Sequence, residues 1–323
     1  MSSTKMVFWG ASEFAVPALE LLVKNGFEIA AIVTAPDEPV GRRQILTPPS
    51  VKVAAQKLRL EIFQPKNLKA GGLELIENWK SSTSPAGGKI GNCDLGIVAS
   101  YGKIIPGEII NSFPLGILNI HPSLLPKYRG PSPIQTQILN GETETGVTIM
   151  KIDDQVDHGP ILVNQKSNIK DQKYGELLNE LAELGAELLV KILPDYTAGK
   201  IKPVEQNHSQ ATFTKIIKKE DGRIDWSKSA KQIYNQFRAF HIWPGIWTVW
   251  SNKILKITDC MPAPNEYIEN KNYGFVFEKD KKVLIKCGSD SLEILRLQLE
   301  GGREMNIRDF LPGHRDFLKT ELE

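Results

Sequence analysis

Through the first half of the chain, short apolar runs alternate with amphipathic stretches. Lys5–Trp9 and Glu28–Thr34 have the length and β-branched content of buried strands, and the stretch Val16–Asn25 between them reads as a helix. The order strand, turn (Gly10-Ala11-Ser12), helix, strand opens a Rossmann-like, mostly parallel sheet. Val51–Lys57 predicts a helix, Glu61–Gln64 a short strand and Leu95–Ser100 a longer one. The segment APDEPVGRRQILTPPSVK is dense in chain breakers (Pro36, Pro39, Gly41, Pro48, Pro49) and is expected to lack regular structure. Ser81–Asn92 (SSTSPAGGKIGN) reads as a tolerated surface insertion.

Further on, Gly146–Ile152 and Ile161–Gln165 predict strands around the loop Asp153–Gly159. Tyr174, Leu177, Leu178, Leu181, Leu184, Leu188 and Leu189 share one face of a helix. The pattern dissolves at Pro203–Gln210, a candidate linker. Beyond a helical stretch, Ala230–Phe240, come the short strands Lys253–Ile257, Gly274–Phe277, Lys282–Lys286 and Leu292–Leu299, which suggest a small β-barrel or sandwich. The expected organisation is an α/β domain over 1–205, then a linker and β domain over 206–323.

The length of 323 residues agrees with two domains. A formal net charge of +2 implies no strong field. Residues 207–323 carry 19 Lys and Arg against 16 Asp and Glu, a mild bias that tolerates polyanions. Cys93, Cys260 and Cys287 are far apart and odd in number, which suggests neither a zinc site nor a disulfide framework; no metal is expected, and a reducing cytoplasm is. No apolar run is long enough for a membrane span, and the first residues lead into a strand without a signal-peptide pattern.

Chemistry concentrates in LGILNIHPSLLPKYRGPSPIQ, Leu115–Gln135. On a strand over Leu115–Ile120, Asn119 and His121 point to the same face, and Pro122 leaves His121 at the carboxyl end, where open α/β sheets bind ligands. An amide donor beside an imidazole can stabilise an oxyanion and handle a proton, as acyl transfer requires. Asp157, in DDQVDHG, is the best candidate to orient His121; Asp153 and Asp154 share its loop and remain alternatives. His158 is a competing base expected to face solvent. His208, His241 and His314 are expected at the surface or in packing roles, and Trp226, Trp243 and Trp247 in the core. Equally, Asn119 and His121 read as a hydrogen-bonded strand end and Asp157 as a turn cap. No serine or cysteine stands out as a nucleophile, so the attacking group is expected from the substrate, as when an amine attacks a formyl carbon.

NIHPSLLPKYRGPSPIQ followed by ETGVTIMKIDDQVDHGPIL closely resembles the folate-dependent formyltransferases. The resemblance implies an Asn-His-Asp catalytic set, which falls on Asn119, His121 and Asp157. It also implies a formyl donor, 10-formyltetrahydrofolate, bound by Ser123, Leu124, Leu125 and Pro126 and, through the VASYGKIIP segment, by Tyr101 and Gly102. The blocks FWGASEFAVPALELL, PDEPVGRR, PPSVKVAA, FQPKNL, GRIDWSKSA, QFRAFHIWPGIWT and LQLEGGREMN resemble, in order, the branch of that family acting on methionyl-tRNA. That branch implies initiator methionyl-tRNA as partner, a C-terminal OB-like barrel that contacts it, and a monomer. Arg42 matches the branch's key basic position and Arg43 adds charge beside it, although GRRQILTPP is less basic than usual there. Lys215, Lys218 and Lys219 are weaker candidates for phosphate contacts.

Two other functions are weighed against this one. A formyltransferase for a small amine (a sugar nucleotide or ribonucleotide) would not need the C-terminal blocks. A non-catalytic RNA-binding protein would not need Asn119, His121 and Asp157. Gly10-Ala11-Ser12 lacks the GxGxxG spacing of a dinucleotide site, so a dehydrogenase is rejected.

Overall fold

The computed structural model describes residues 4–41, 43–68, 93–266 and 268–323. They form two compact units: one of residues up to Pro133, Glu144–Asn168 and Leu178–Thr214, the other of Ile134–Thr143, Ile169–Leu177 and Lys215–Glu323.

The first unit is built on β1 (Lys5–Gly10), β2 (Glu28–Val33), β5 (Ile62–Phe63), β6 (Leu95–Ala99), β7 (Ile117–His121), β8 (Glu144–Lys151) and β9 (Ile161–Asn168), with the hairpin β3 (Glu38–Val40) and β4 (Ile45–Thr47) outside the main sheet. Sheet order is β5-β2-β1-β6-β7-β8-β9. The first five strands in that order are parallel, while β8 and β9 add antiparallel at the edge. Near-continuous burial along β1, β2 and β6 explains their unbroken apolar runs, since a parallel sheet is covered on both faces. The chain winds outward from β1 through β2 and β5, then resumes on its other side at β6 and β7. The switch point therefore lies between the carboxyl ends of β1 and β6, where ligands of such sheets bind. There the Ala11 N–H donates to the Ser100 carbonyl at 3.2 Å, and Ser12 and Ser100 are linked through their hydroxyls at 2.7 Å.

The proline-rich segment is not without regular structure: β3 and β4 pair antiparallel, Val40 opposite Ile45. Gly41 and Gln44 take up left-handed φ values of 72° and 49°, which lets the chain reverse despite its prolines. Val40, Ile45 and Leu46 are exposed, so no buried face announces these strands in the sequence.

In the second unit, Ser229 and Gln232 form a reciprocal capping box at the start of the helix Ala230–Ala239. A six-stranded antiparallel sheet follows, made of β10 (Ile246–Trp250), β11 (Lys253–Ala263), β12 (Val276–Lys279), β13 (Lys282–Lys286), β14 (Ser291–Leu299) and β15 (Glu304–Asn306). Its order is β10-β11-β14-β13-β12, with β15 paired to β14. Trp226 is buried as expected, but Trp243 is not a core residue: it is 54% exposed. No helix among the described residues is long and apolar enough to cross a membrane.

Candidate active site

Asn119 and His121 lie on the same face of β7, as the period-two argument requires, and His121 is its last residue. β7 pairs with β8 so that His121 sits opposite Thr148. Thr148 is fully buried; its hydroxyl donates to the Ser123 carbonyl at 2.7 Å and accepts the Leu125 N–H at 3.2 Å. This pair of bonds fastens the Ser123–Pro126 loop to the sheet directly behind His121. Thr148→Val preserves volume but strips both bonds, so the unfolding free energy should fall by about 1–3 kcal/mol, measurable by urea denaturation.

Asp157 arrives from the β8–β9 loop. Gly159 closes that loop against the Lys151 carbonyl, where a side chain would collide, so the residue must be glycine. Asp157 has φ 49°, an uncommon conformation for a residue with a side chain. Its Oδ2 accepts the Gly130 N–H at 2.7 Å, while its Oδ1 lies 3.5 Å from His121 Nδ1 and 3.4 Å from Asn119 Nδ2. Gly130, at φ 110°, passes so close to Thr214 that a Cβ would meet its carbonyl at 2.9 Å.

His121 is buried, and both ring nitrogens face acceptors: Nε2 lies 3.1 Å from the Tyr128 carbonyl, and Nδ1 faces the Asp157 carboxylate. A neutral imidazole can donate to only one of them, so the arrangement matches an imidazolium at the moment it holds an extra proton. Beside it, Asn119 offers an amide that can donate to a developing oxyanion. Taken together, the geometry can accept a proton from an attacking amine and stabilise negative charge on an acyl oxygen.

The three aspartates of the loop are separated by their partners. Asp153 Oδ2 is 2.6 Å from His158 Nδ1 and its other oxygen accepts the Gln155 N–H, Asp154 is exposed, and Asp157 faces His121. His158 does not simply face solvent: it is half-buried and stacks on His208, ring centroids 4.0 Å apart and 2° from parallel. His208 in turn receives a hydrogen bond on Nδ1 from Arg129 at 2.9 Å, so it too has a partner.

The residues expected to bind the donor divide by exposure. Ser123 and Leu125 turn inward, the Ser123 hydroxyl donating to the Lys127 carbonyl at 2.7 Å; Leu124 and Pro126 remain half-exposed. Tyr101 is buried edge-on against Trp9, with burial pushing its phenol up to about 12, while Gly102 is exposed at φ 76°. Arg43 is exposed in the β3–β4 turn. Arg42 and the Ser81–Asn92 loop lie outside the described residues.

Sequence reasoning missed Arg129, Gln206 and Thr148. Arg129 and Gln206 are both buried and joined by hydrogen bonds of 2.7 and 3.2 Å. Desolvation lowers the Arg129 pKa from the ordinary guanidinium value, and the carboxylates of Asp157 and Asp153 act in the opposite sense. The segment read as a linker supplies Gln206 to the first unit, and just beyond it Thr212 and Thr214 accept hydrogen bonds from the backbone N–H groups of Tyr128 and Ser132.

Comparison with known proteins settles the family. Residues 4–193 match the formyl transferase family model, and residues 216–315 match the formyl transferase C-terminal domain. The chain belongs to the formyl transferase family, in its methionyl-tRNA formyltransferase branch. It is 41% identical to the methionyl-tRNA formyltransferase of Chloroflexus aurantiacus over 98% of this chain and 99% of that protein. The corresponding protein of Caldicellulosiruptor saccharolyticus is 42% identical, over 96% and 97%. Among solved structures, an N-formyltransferase from Helicobacter canadensis in complex with folinic acid and dTDP-3-aminofucose superposes with a TM-score of 0.65 at 22% identity, covering 90% of this chain and 98% of that one; this likeness concerns the fold.

Proposed function

We propose that this chain transfers the formyl group of 10-formyltetrahydrofolate to the α-amino group of initiator methionyl-tRNA, acting as a cytoplasmic monomer. The observation that carries this reading is the Asp157 carboxylate set against both Asn119 and His121. The donor supplies an activated formyl carbon. An α-amino group, with a reference pKa of about 8, is partly neutral at working pH and can attack it. His121 takes the proton released by the amine and delivers it to N10 of the donor as the oxyanion collapses, the formyl C–N10 bond breaks and tetrahydrofolate leaves; Asp157 holds the imidazole and balances its charge, and Asn119 donates to the oxyanion.

Donor binding is assigned to Tyr101, Gly102 and the Ser123-Leu124-Leu125-Pro126 loop. In support, the hydroxyls of Tyr101 and Thr34 are buried without a hydrogen-bond partner among the described residues, just past the carboxyl ends of β6 and β2. A ligand with hydrogen-bonding ring edges would satisfy such groups. The deciding assay is transfer of labelled formyl from 10-formyltetrahydrofolate to methionyl-tRNA, with uncharged tRNA and small sugar amines as controls. Equal labelling of the small amines would refute the acceptor assignment.

Arg42 and Arg43 are assigned to the tRNA backbone; Lys215 is a weaker candidate because it is ion-paired with Asp221. Arg42→Ala combined with Arg43→Ala should raise KM for methionyl-tRNA, leave kcat within about twofold, and reduce the slope of log(kcat/KM) on log salt by about 1 to 2. An unchanged dependence on tRNA concentration would count against both residues.

A further inference from the structure

The Asp157 turn is held from behind by one buried carboxamide. Gln206 Nε2 donates to the Asp157 carbonyl at 3.0 Å and to the Gly159 carbonyl at 2.7 Å. Its Oε1 accepts from Arg129 Nη2 at 2.7 Å and from Nε at 3.2 Å. Only one orientation of the amide fits, because the guanidinium offers donors alone and the two carbonyls acceptors alone. Gln206 and Arg129 are 6% and 3% exposed, so water does not compete for these bonds. Arg129 is pinned in turn: its N–H donates to the Thr212 carbonyl at 2.9 Å, its carbonyl accepts the Thr214 N–H at 2.7 Å, and Nη2 reaches His208.

Two loops that meet at His121 are thus coupled through a third segment. Arg129 belongs to the loop carrying the Tyr128 carbonyl and the Gly130 N–H, which contact His121 and Asp157. Gln206 connects that loop to the backbone on both sides of His158. The left-handed φ of Asp157 is a strained choice for a residue with a side chain, and it persists only where neighbours enforce it. We infer that Gln206, held by Arg129, is a positioning residue for formyl transfer: its carboxamide fixes the Asp157 turn so that the carboxylate stays on His121 and Gly130. This assignment rests on the function proposed above.

Gln206→Glu tests it, since a carboxylate keeps the bonds from Arg129 but loses both donors to the Asp157 turn. Transfer to methionyl-tRNA should show kcat reduced about tenfold to a hundredfold with KM for both substrates within about twofold, the cost of a small misplacement. In an Asp157→Asn background the same change should cost less than about threefold, because the two residues act through one carboxylate. Independently of any substrate, amide hydrogen exchange at Gly130 should accelerate in Gln206→Glu. Gln206→Met adds no buried charge and loses the same donors together with the Arg129 acceptor, so it should lose at least as much kcat with equally faster Gly130 exchange, and it covers the case in which Gln206→Glu does not fold.

Unchanged kcat, or equal losses in both backgrounds, would overturn the assignment. A native protein that formylates no methionyl-tRNA would instead overturn the function. The Gly130 exchange rate then decides the positioning role alone: faster exchange upholds it and unchanged exchange removes it.

Discussion

His121→Ala is expected to lower kcat/KM for formyl transfer by about 10²- to 10⁴-fold, the range general acid–base groups contribute, while methionyl-tRNA binding stays within about twofold. The asymmetry follows from where His121 sits. It is 4% exposed at the end of β7, between the Tyr128 carbonyl and the Asp157 carboxylate, with little surface to offer a macromolecule. What it offers is a second protonation state whose two N–H groups both find acceptors. The amine sheds a proton as it attacks, and no other imidazole among the described residues is so placed: His158 is engaged by Asp153, and His208 by Arg129. Loss should therefore fall on kcat. Because alanine also vacates buried volume, His121→Gln should be measured beside it, with the unfolding midpoint and tRNA affinity of both. Parallel loss of turnover and tRNA affinity would make His121 a scaffold residue.

The reach and limits of the sequence are visible in these same residues. Alternation along Leu115–Ile120 was enough to put Asn119 and His121 on one face, because strand geometry is local. Choosing among Asp153, Asp154 and Asp157 needed more: all three share a loop, and which one meets His121 depends on how the chain returns past Gly159. Gln206 lies 49 and 47 positions from the carbonyls it holds, in a polar stretch whose composition is that of a linker. Its signal is burial, and burial is a property of the folded chain. The β3–β4 hairpin went unread for the opposite reason. Its apolar side chains are exposed, so neither period nor core marks it, and proline density pointed elsewhere. Resemblance supplied what patterns did not, the donor and the acceptor, while the partners of His158 and His208 are set only by the folded chain.

Asp157→Asn should cost about as much as losing the imidazole, about 10²- to 10⁴-fold in kcat, as acid-to-amide replacement does behind a catalytic histidine elsewhere. Every group facing this carboxylate is a donor: the Gly130 N–H at 2.7 Å, the Asn119 amide at 3.4 Å, and His121 Nδ1 at 3.5 Å once protonated. An asparagine has one acceptor oxygen. If that oxygen keeps the Gly130 bond, its NH2 opposes the Asn119 amide donor against donor and donates to His121 Nδ1, which fixes the tautomer with that nitrogen unprotonated; if it turns, the Gly130 N–H is stranded in a partly buried site. Either way the negative charge that balances the imidazolium is gone. Asp153→Asn serves as the comparison, since its bonds run to His158 and the Gln155 N–H, and it should retain kcat within about threefold. The two variants lie four positions apart in one loop and carry the same change in charge. A shared electrostatic effect would depress both equally, whereas a specific carboxylate on His121 depresses only Asp157→Asn. Retained turnover in Asp157→Asn, with loss in Asp153→Asn, would move the orienting role to the His158 side of the loop.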